Sequence, residues 1–360
     1  MNKLKVVHIV ESFGGGIYSY LKDLSFFLHQ KPNIENFIIY SDKRKEINNT
    51  KIIQDLDNKA KLIKIDMERN IAPFKDIKAT LQIKKVLDSV KPDIIHLHSS
   101  KAGVIGRVAG YFSKKDARIY YTPHAYSFLR QDVSKVKRSL FKLIEKISQK
   151  IFGGITIACG DTEFLYAKSI GPSLLVRNGV DIDRIRSMKL NKDKENRLTI
   201  GTLARIAYGK NPQLFNQIAK KYPNIQFIWI GDGELSNEIT SPNIKITGWI
   251  KTKEECIKWL SQLDIYIQTS LWEGLPISIL EAMAINLPVI ATNVIGNKDI
   301  VKNGENGYLF DDIEEFDQIL NKLLDESKRK NMGNNAYNIC SELFDMNKNF
   351  NHLLKIYFKS

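Results

Sequence analysis

Short apolar runs rich in β-branched residues recur along this chain, each parted from the next by a segment with helical spacing, and that alternation limits the fold more than any single residue does. The first run, from Lys5 to Val10, is broken by Gly14, Gly15 and Gly16, after which residues 17 to 30 carry apolar side chains at helical intervals up to Pro32. Further runs stand at 36–41, 61–66, 92–98, 117–122 and 154–160. Strands alternating with helices imply a parallel sheet covered on both faces. The pattern restarts after Asn178-Gly179, a turn signal, with runs at 197–204, 225–231, 244–249, 264–270 and 287–292, and a helical stretch from about Asn331 to Phe358 ends it. An α/β chain of two Rossmann-like, doubly wound domains is expected, residues 1–176 and 177–341, facing a central cleft.

Ionisable residues narrow what such a chain can meet. Lys and Arg outnumber Asp and Glu by 54 to 40, a formal net charge of +14, which attracts nucleic acid, an anionic lipid surface or a diphosphate alike. Cys159, Cys256 and Cys340 follow no metal-ligand spacing, so neither a disulfide framework nor a zinc site is expected and a reducing cytoplasm fits. The amino-terminal apolar run stops at Glu11, short of a signal-peptide core, and no stretch approaches the ~20 apolar residues of a membrane span.

The strongest local signal is EGLPISILE, from Glu273 to Glu281, just after the run at 264–270. Pro276 suits the first turn of a helix, which puts Glu273 in the preceding loop and Glu281 roughly 7.5 Å along the axis. Unpaired backbone N–H groups at a helix start make an anion site. A carboxylate on either side suits a nucleotide sugar, whose hydroxyls flank a diphosphate. A capped core helix with two solvated glutamates has the same spacing.

EGLPISILE also resembles the E-x7-E motif of the family 4 glycosyltransferases, and other signatures of that family stand in order around it. These are the glycine loop at 14–16, HLHSSKAG at 96–103, TPHAY at 122–126, NGVD at 178–181, an R-x4-K at Arg205 and Lys210, and IGDGEL at 230–235. The resemblance spans almost the whole chain. It implies the GT-B fold, retaining transfer from a nucleotide-diphosphate sugar, and a terminal helix, about 342–360, that completes the first, acceptor-side domain. Glu273 would contact the donor sugar and Glu281 the ribose, since ionised carboxylates accept strong bonds from hydroxyls. Arg205 and Lys210 would meet the diphosphate, with Gly231, Gly233, Gly274, Leu275 and Pro276 on the same donor side. Gly15 and Gly16 would let substrate approach the backbone, although a tight turn needs glycines equally. With His124 bordering the donor sugar, the implied catalytic set is His124, Glu273, Arg205 and Lys210. His98, Ser99 and Lys101 fall on the acceptor side. No metal and no other cofactor are implied: Asp181 and Asp183 read as linker and capping chemistry, and His96 and His98, alternating on one strand face, have no third ligand beside them.

From Val133 to Phe152, Val133, Val136, Leu140, Leu143, Ile144, Ile147 and Ile151 make one helical stripe, with Lys135, Arg138, Lys142, Lys146 and Lys150 mainly elsewhere. Such a helix can lie on anionic lipid through those cations, pack its stripe on the sheet, or do both with the stripe inward. The motifs at 96–103 and 122–126 most resemble bacterial enzymes that extend lipid-linked oligosaccharides for capsule, O-antigen or glycoprotein assembly. That implies a UDP-sugar donor, a polyprenyl-diphosphate-linked acceptor, and a cytoplasmic protein peripheral on the inner membrane face. The alternatives are a nucleotide-sugar epimerase or phosphorylase of the same plan, and a basic nucleic-acid-binding protein, for which no recognition motif is present. The glycine loop lacks the third small residue of G-x-G-x-x-G, and there is no Walker A sequence, which disfavours dehydrogenase and ATPase chemistry.

Overall fold

Each apolar run becomes a parallel strand. The computed structural model describes residues 3–44, 47, 49–114, 116–191 and 197–359, in two units: Met1–Val176 with Phe350–Ser360, and Arg177–Asn349. The first unit runs β1 (Leu4–Val10), α1 (Gly15–His29), β2 (Ile34–Tyr40), α2 (Asn49–Leu56), β3 (Lys61–Lys64), α3 (Pro73–Val90), β4 (Ile94–His98), α4 (Ser100–Tyr111), β5 (Arg118–Thr122), α5 (Lys135–Phe152), β6 (Ile155–Ala158), α6 (Asp161–Ile170) and β7 (Ser173–Leu175). Its seven strands lie in the order β3-β2-β1-β4-β5-β6-β7.

The second unit runs α7 (Ile182–Ser187), β8 (Thr199–Leu203), α8 (Pro212–Lys221), β9 (Gln226–Ile230), β10 (Ile244–Ile246), α9 (Lys253–Leu260), β11 (Ile265–Gln268), α10 (Ile277–Ala284), β12 (Val289–Thr292), α11 (Asn297–Ile300), β13 (Gly307–Phe310), α12 (Ile313–Leu323), α13 (Glu326–Leu343) and the start of α14 (Met346–Phe358). Its six strands lie in the order β10-β9-β8-β11-β12-β13. Phe215, Phe227, Trp229, Phe310 and Phe316 fill part of its core. In each sheet the winding reverses once, between β1 and β4 and between β8 and β11. Open α/β sheets bind ligands beyond the carboxyl ends of the strands at such a point.

The helical stretch expected from about Asn331 to Phe358 is two helices, parted at Phe344-Asp345. There the chain pairs with Val180, whose N–H donates to the Phe344 carbonyl at 2.9 Å. A Cβ on Gly179 would lie 2.7 Å from that carbonyl oxygen, so only glycine fits. From Phe350 onward α14 belongs to the first unit. Phe350 packs on Tyr20 and Phe27, Tyr357 hydrogen-bonds His96, and Arg118 donates to the carbonyls of Tyr357 and Lys359.

Helix α5 departs most from expectation, because its apolar stripe faces outward. Val136 is 79% exposed and Leu143 52%, with Leu140, Ile147 and Ile151 also exposed. The buried face holds Glu145, Ser148 and Gln149. These polar groups face inward because Arg107, wholly buried on α4, needs partners there. Arg107 donates to Gln149 at 3.4 Å and to the Gly153 carbonyl at 3.1 Å, stands 3.8 Å from Glu145, and lies over the Tyr121 ring. Tyr121 in turn donates to Glu145 at 2.8 Å. A stripe packed on the sheet is therefore excluded. Of the five cations placed around it, Lys135, Lys146 and Lys150 are exposed. Arg138 instead donates to the Phe128 carbonyl, and Lys142 sits near the Phe128 and Tyr166 rings.

Candidate active site

In the second unit the conspicuous side chains stand where the winding reverses. Arg205 and Lys210 lie in the loop after β8, and Glu273 in the loop after β11. The two loops are tied together: the Leu271 N–H donates to the Gly209 carbonyl at 2.9 Å, and Thr269 Oγ1 to the Lys210 carbonyl at 2.8 Å. Lys210 pairs with Glu273, which is largely buried. Glu273 Oε1 also accepts from Gln268 at 2.7 Å and from Ser270 at 2.6 Å. All three bonds fall on one oxygen, so Oε2 has no partner among the described residues. Arg205 is more exposed, with Glu234 at 3.8 Å.

Helix α10 begins one residue later than the spacing predicted: Pro276 is its N-cap, in extended backbone, and Ile277 its first residue. No side chain caps this start and no acid lies in its first turn, so its outermost N–H groups keep their partial positive charge. Leu275 is buried, and Gly296 (φ +85) packs so tightly on Glu273 and Gly274 that a Cβ would come within 2.5 Å of the Gly274 carbonyl oxygen. Glu281, fully inside α10 and buried, pairs with Lys253 at the start of α9. The sequence reading missed Lys253, although the Thr252-x-x-Glu255 capping box that fixes its helix is visible in the sequence.

Gly231 and Gly233 have a packing cause of their own. A Cβ on either would lie within 2.2 Å of the carbonyl oxygens of Ala204 or Ile206. Their lack of a side chain lets the loop after β9 support the Arg205 loop. Asp181 caps α7, accepting from the Arg184 N–H at 3.1 Å.

In the first unit the strand ends at the winding reversal carry strained backbone and imidazoles. Gly14 caps α1, Gly15 has φ +55, and a Cβ on Gly15 or Gly16 would meet nothing within 4 Å. Ser99 after β4 has φ 75, and His124 and Ala125 after β5 have φ 51 and 81, conformations few non-glycine residues adopt. Glu163, wholly buried on α6, accepts from the Ala125 N–H at 2.9 Å and the Cys159 N–H at 2.8 Å and so braces that corner. His98 is wholly buried too, and Lys101 is paired with Asp76 at 2.7 Å. Ser99 keeps a buried hydroxyl without a partner among the described residues.

The absence of a third ligand beside His96 and His98 is corrected by His8. Parallel register pairs His8 with His96 across β1 and β4, so the three imidazoles converge within 4.8 Å. Their donor set could hold a metal, but every ring nitrogen except His8 Nε2 already has a hydrogen-bond partner. Burial pushes the pKa values of all three down, that of His8 to about 3, so they are neutral at physiological pH.

Two sequence profiles match: glycosyl transferases group 1 over residues 183–339, and glycosyl transferase 4-like over 45–153. Each unit thus matches a glycosyltransferase profile, and the chain has the GT-B fold. A sucrose-phosphate synthase from Thermosynechococcus elongatus superposes on this glycosyltransferase with a TM-score of 0.81 at 15% identity, over 99% of this chain and 98% of that one. Anabaena HepE, solved with UDP and glucose, gives a TM-score of 0.78 at 17% identity over 99% and 100%. By sequence, the glycosyltransferase is 29% identical over 319 residues to the Escherichia coli UDP-Gal:alpha-D-GlcNAc-diphosphoundecaprenol alpha-1,3-galactosyltransferase, covering 80% of this chain and 81% of that one. It is 27% identical over 340 residues to the capsular polysaccharide biosynthesis glycosyltransferase CapM of Staphylococcus aureus, covering 85% of each. Among the described residues no helix is long and apolar enough to cross a membrane.

Proposed function

We propose that the enzyme moves a sugar from a UDP-sugar, with retention at the anomeric carbon, onto a saccharide carried by polyprenyl diphosphate at a membrane surface. The observation that carries this reading is the outward stripe of α5. At 100° per residue, Val136, Leu140, Leu143, Ile147 and Ile151 share one face, and Lys135, Lys146 and Lys150 flank it. Exposed Tyr111 and Phe112 extend it around Phe152. An apolar band edged with lysine fits the boundary between lipid tails and anionic headgroups, and it supports lipid over nucleic acid as the partner of the positive surplus. The lipid-diphosphate acceptor in the printed name of the E. coli relative supports the same choice, and its UDP-galactose supports the donor.

On the donor side Arg205, Lys210 and the open start of α10 neutralise the diphosphate as it leaves, with no metal required. Glu273 Oε2 accepts a donor-sugar hydroxyl, and Glu281 holds the ribose. We further propose that the acceptor hydroxyl attacks from the face the diphosphate leaves. The bond from C1 to the phosphate oxygen breaks, the bond from C1 to the acceptor oxygen forms, and the acceptor proton passes to that phosphate oxygen. His124 is the catalytic side chain of the first unit. The test is mass spectrometry of products from a panel of nucleotide sugars offered with polyprenyl-diphosphate-linked and water-soluble acceptors. One added hexose or N-acetylhexosamine, from a UDP donor and on the lipid-linked acceptor, supports the proposal. Conversion of a nucleotide sugar without any acceptor would instead establish an epimerase.

A further inference from the structure

His8, His98 and His124 are joined ring to ring, His8 Nδ1 to His98 Nε2 at 3.0 Å and His98 Nδ1 to His124 Nε2 at 3.1 Å. A neutral imidazole has one N–H and one lone pair, so each such bond dictates the next ring. Burial lowers the pKa of all three, which leaves each ring a single proton near pH 7. Only two arrangements then satisfy both bonds. In one, every ring donates from Nδ1 toward His124, and His8 Nε2 is a bare lone pair. In the other, every ring donates from Nε2 toward His8, and His8 Nε2 is an N–H. That nitrogen is buried with no partner among the described residues, so the two differ in which orphan they bury. Among backbone groups orphaned buried N–H donors are rarer than under-satisfied acceptors, and the same preference carried over to the ring favours the first arrangement.

We infer that His98, backed by His8, is a positioning residue that locks His124 in the tautomer protonated at Nδ1, so that His124 meets a sugar oxygen as a hydrogen-bond donor and not as a base. The second half of this inference rests on the catalytic reading of His124 given above. The ring is held on its other sides as well. The Tyr20 ring meets it edge-on at 5.0 Å, and Glu163 holds the next backbone N–H. His124 Nδ1 has no partner among the described residues, so that end is the one left for a ligand. His96 stands outside the chain: it bonds the hydroxyls of Tyr357 and Thr122, which donate or accept equally, so nothing fixes its tautomer.

Long-range proton–nitrogen correlation spectra of protein labelled with 15N-histidine read the tautomer directly, and the signal lost in His124→Asn identifies that ring. The parent should show His124 protonated at Nδ1. His98→Asn places an amide nitrogen close to the lost Nδ1, still donates, and should keep both that tautomer and the rate. His98→Phe keeps a ring but no donor, and should mix the tautomers and lower kcat about tenfold, with donor KM little changed. His124 protonated at Nε2 in the parent, or an unaltered tautomer in a folded His98→Phe protein, would overturn the lock. The expected tautomer together with a parental rate in His124→Asn would uphold the lock and overturn the catalytic role of His124.

Discussion

Helices α5 and α12 are both strongly two-faced, yet they are mounted in opposite senses. On α12, Phe316, Ile319, Leu320 and Leu323 turn inward while Glu314 and Glu315 meet water, the usual arrangement of a surface helix. On α5 the polar residues turn inward and the aliphatic ones outward. The contrast extends to the units that carry them. The second buries an aromatic and aliphatic core and keeps Arg205, Lys210 and Glu273 at the strand ends. The first buries Arg107, Glu145, Glu163 and three imidazoles. Water suits the outer face of α12, whereas an exposed apolar band of this size marks an interaction surface. On the proposed reading, the difference teaches that the second unit serves a soluble anion and the first something partly apolar.

The most damaging test of that division is Arg205→Ala combined with Lys210→Ala. Removing one preorganised charge-stabilising group costs roughly 10²–10³ in rate, so the pair should lower turnover at least that far while leaving vesicle binding untouched. Steady-state rates and co-sedimentation read the two outcomes separately; a double variant with near-parental turnover would refute the diphosphate assignment. Next in size is the change of Leu140, Leu143, Ile147 and Ile151 together to Gln. Fully burying one such side chain contributes about 1.5–3 kcal/mol, against roughly 1 kcal/mol for a lysine near an anionic surface. The stripe should therefore outweigh its basic flank. We expect vesicle binding to fall by roughly a hundredfold or more even in high salt, with transfer to water-soluble acceptors kept. Lys135, Lys146 and Lys150 changed to Gln should lose only the preference for anionic lipid. Release of the parent by salt alone would reverse that ranking.

Smaller effects probe the donor side. If Glu281 holds the ribose as proposed, Glu281→Ala removes a bond to a hydroxyl, about 1.5–3 kcal/mol, so UDP should bind roughly ten- to a hundredfold more weakly by calorimetry. Glu273→Ala should bind UDP nearly as the parent does and turn over more slowly; equal affinities in both variants would remove the ribose assignment. The smallest expected effect is that of EDTA, which should leave the rate unchanged because side chains and a helix start carry the neutralising charge. Loss of activity with rescue by manganese would overturn that mechanism.

Much of this was legible along the chain, and what was missed has physical reasons. Eleven apolar runs gave strands because β-branched residues cluster between turn signals, whereas β7 and β13 are short edge strands, and β13 opens on Gly307. The stripe of α5 was visible, but periodicity defines two faces without saying which one is buried. Arg107, some 40 positions away and itself wholly buried, decides that. His8 was missed because its meeting with His96 depends on strand order and register, which no local pattern carries. Glu163 is one of two acids in the first turn of α6, and only the fold turns it toward the Ala125 corner.

The return of α14 bears on how the protein is made. The second unit is one continuous stretch, Arg177–Asn349, whereas the first is finished by Phe350–Ser360. During synthesis the ribosome therefore releases everything the second unit needs before it releases the segment that brings Tyr357 to His96 and the two carbonyls to Arg118. His96 on β4 waits through the translation of the whole second unit, residues 177–349, for the Tyr357 hydroxyl it bonds. The nascent chain thus closes in reverse order, the part begun first being the part completed last.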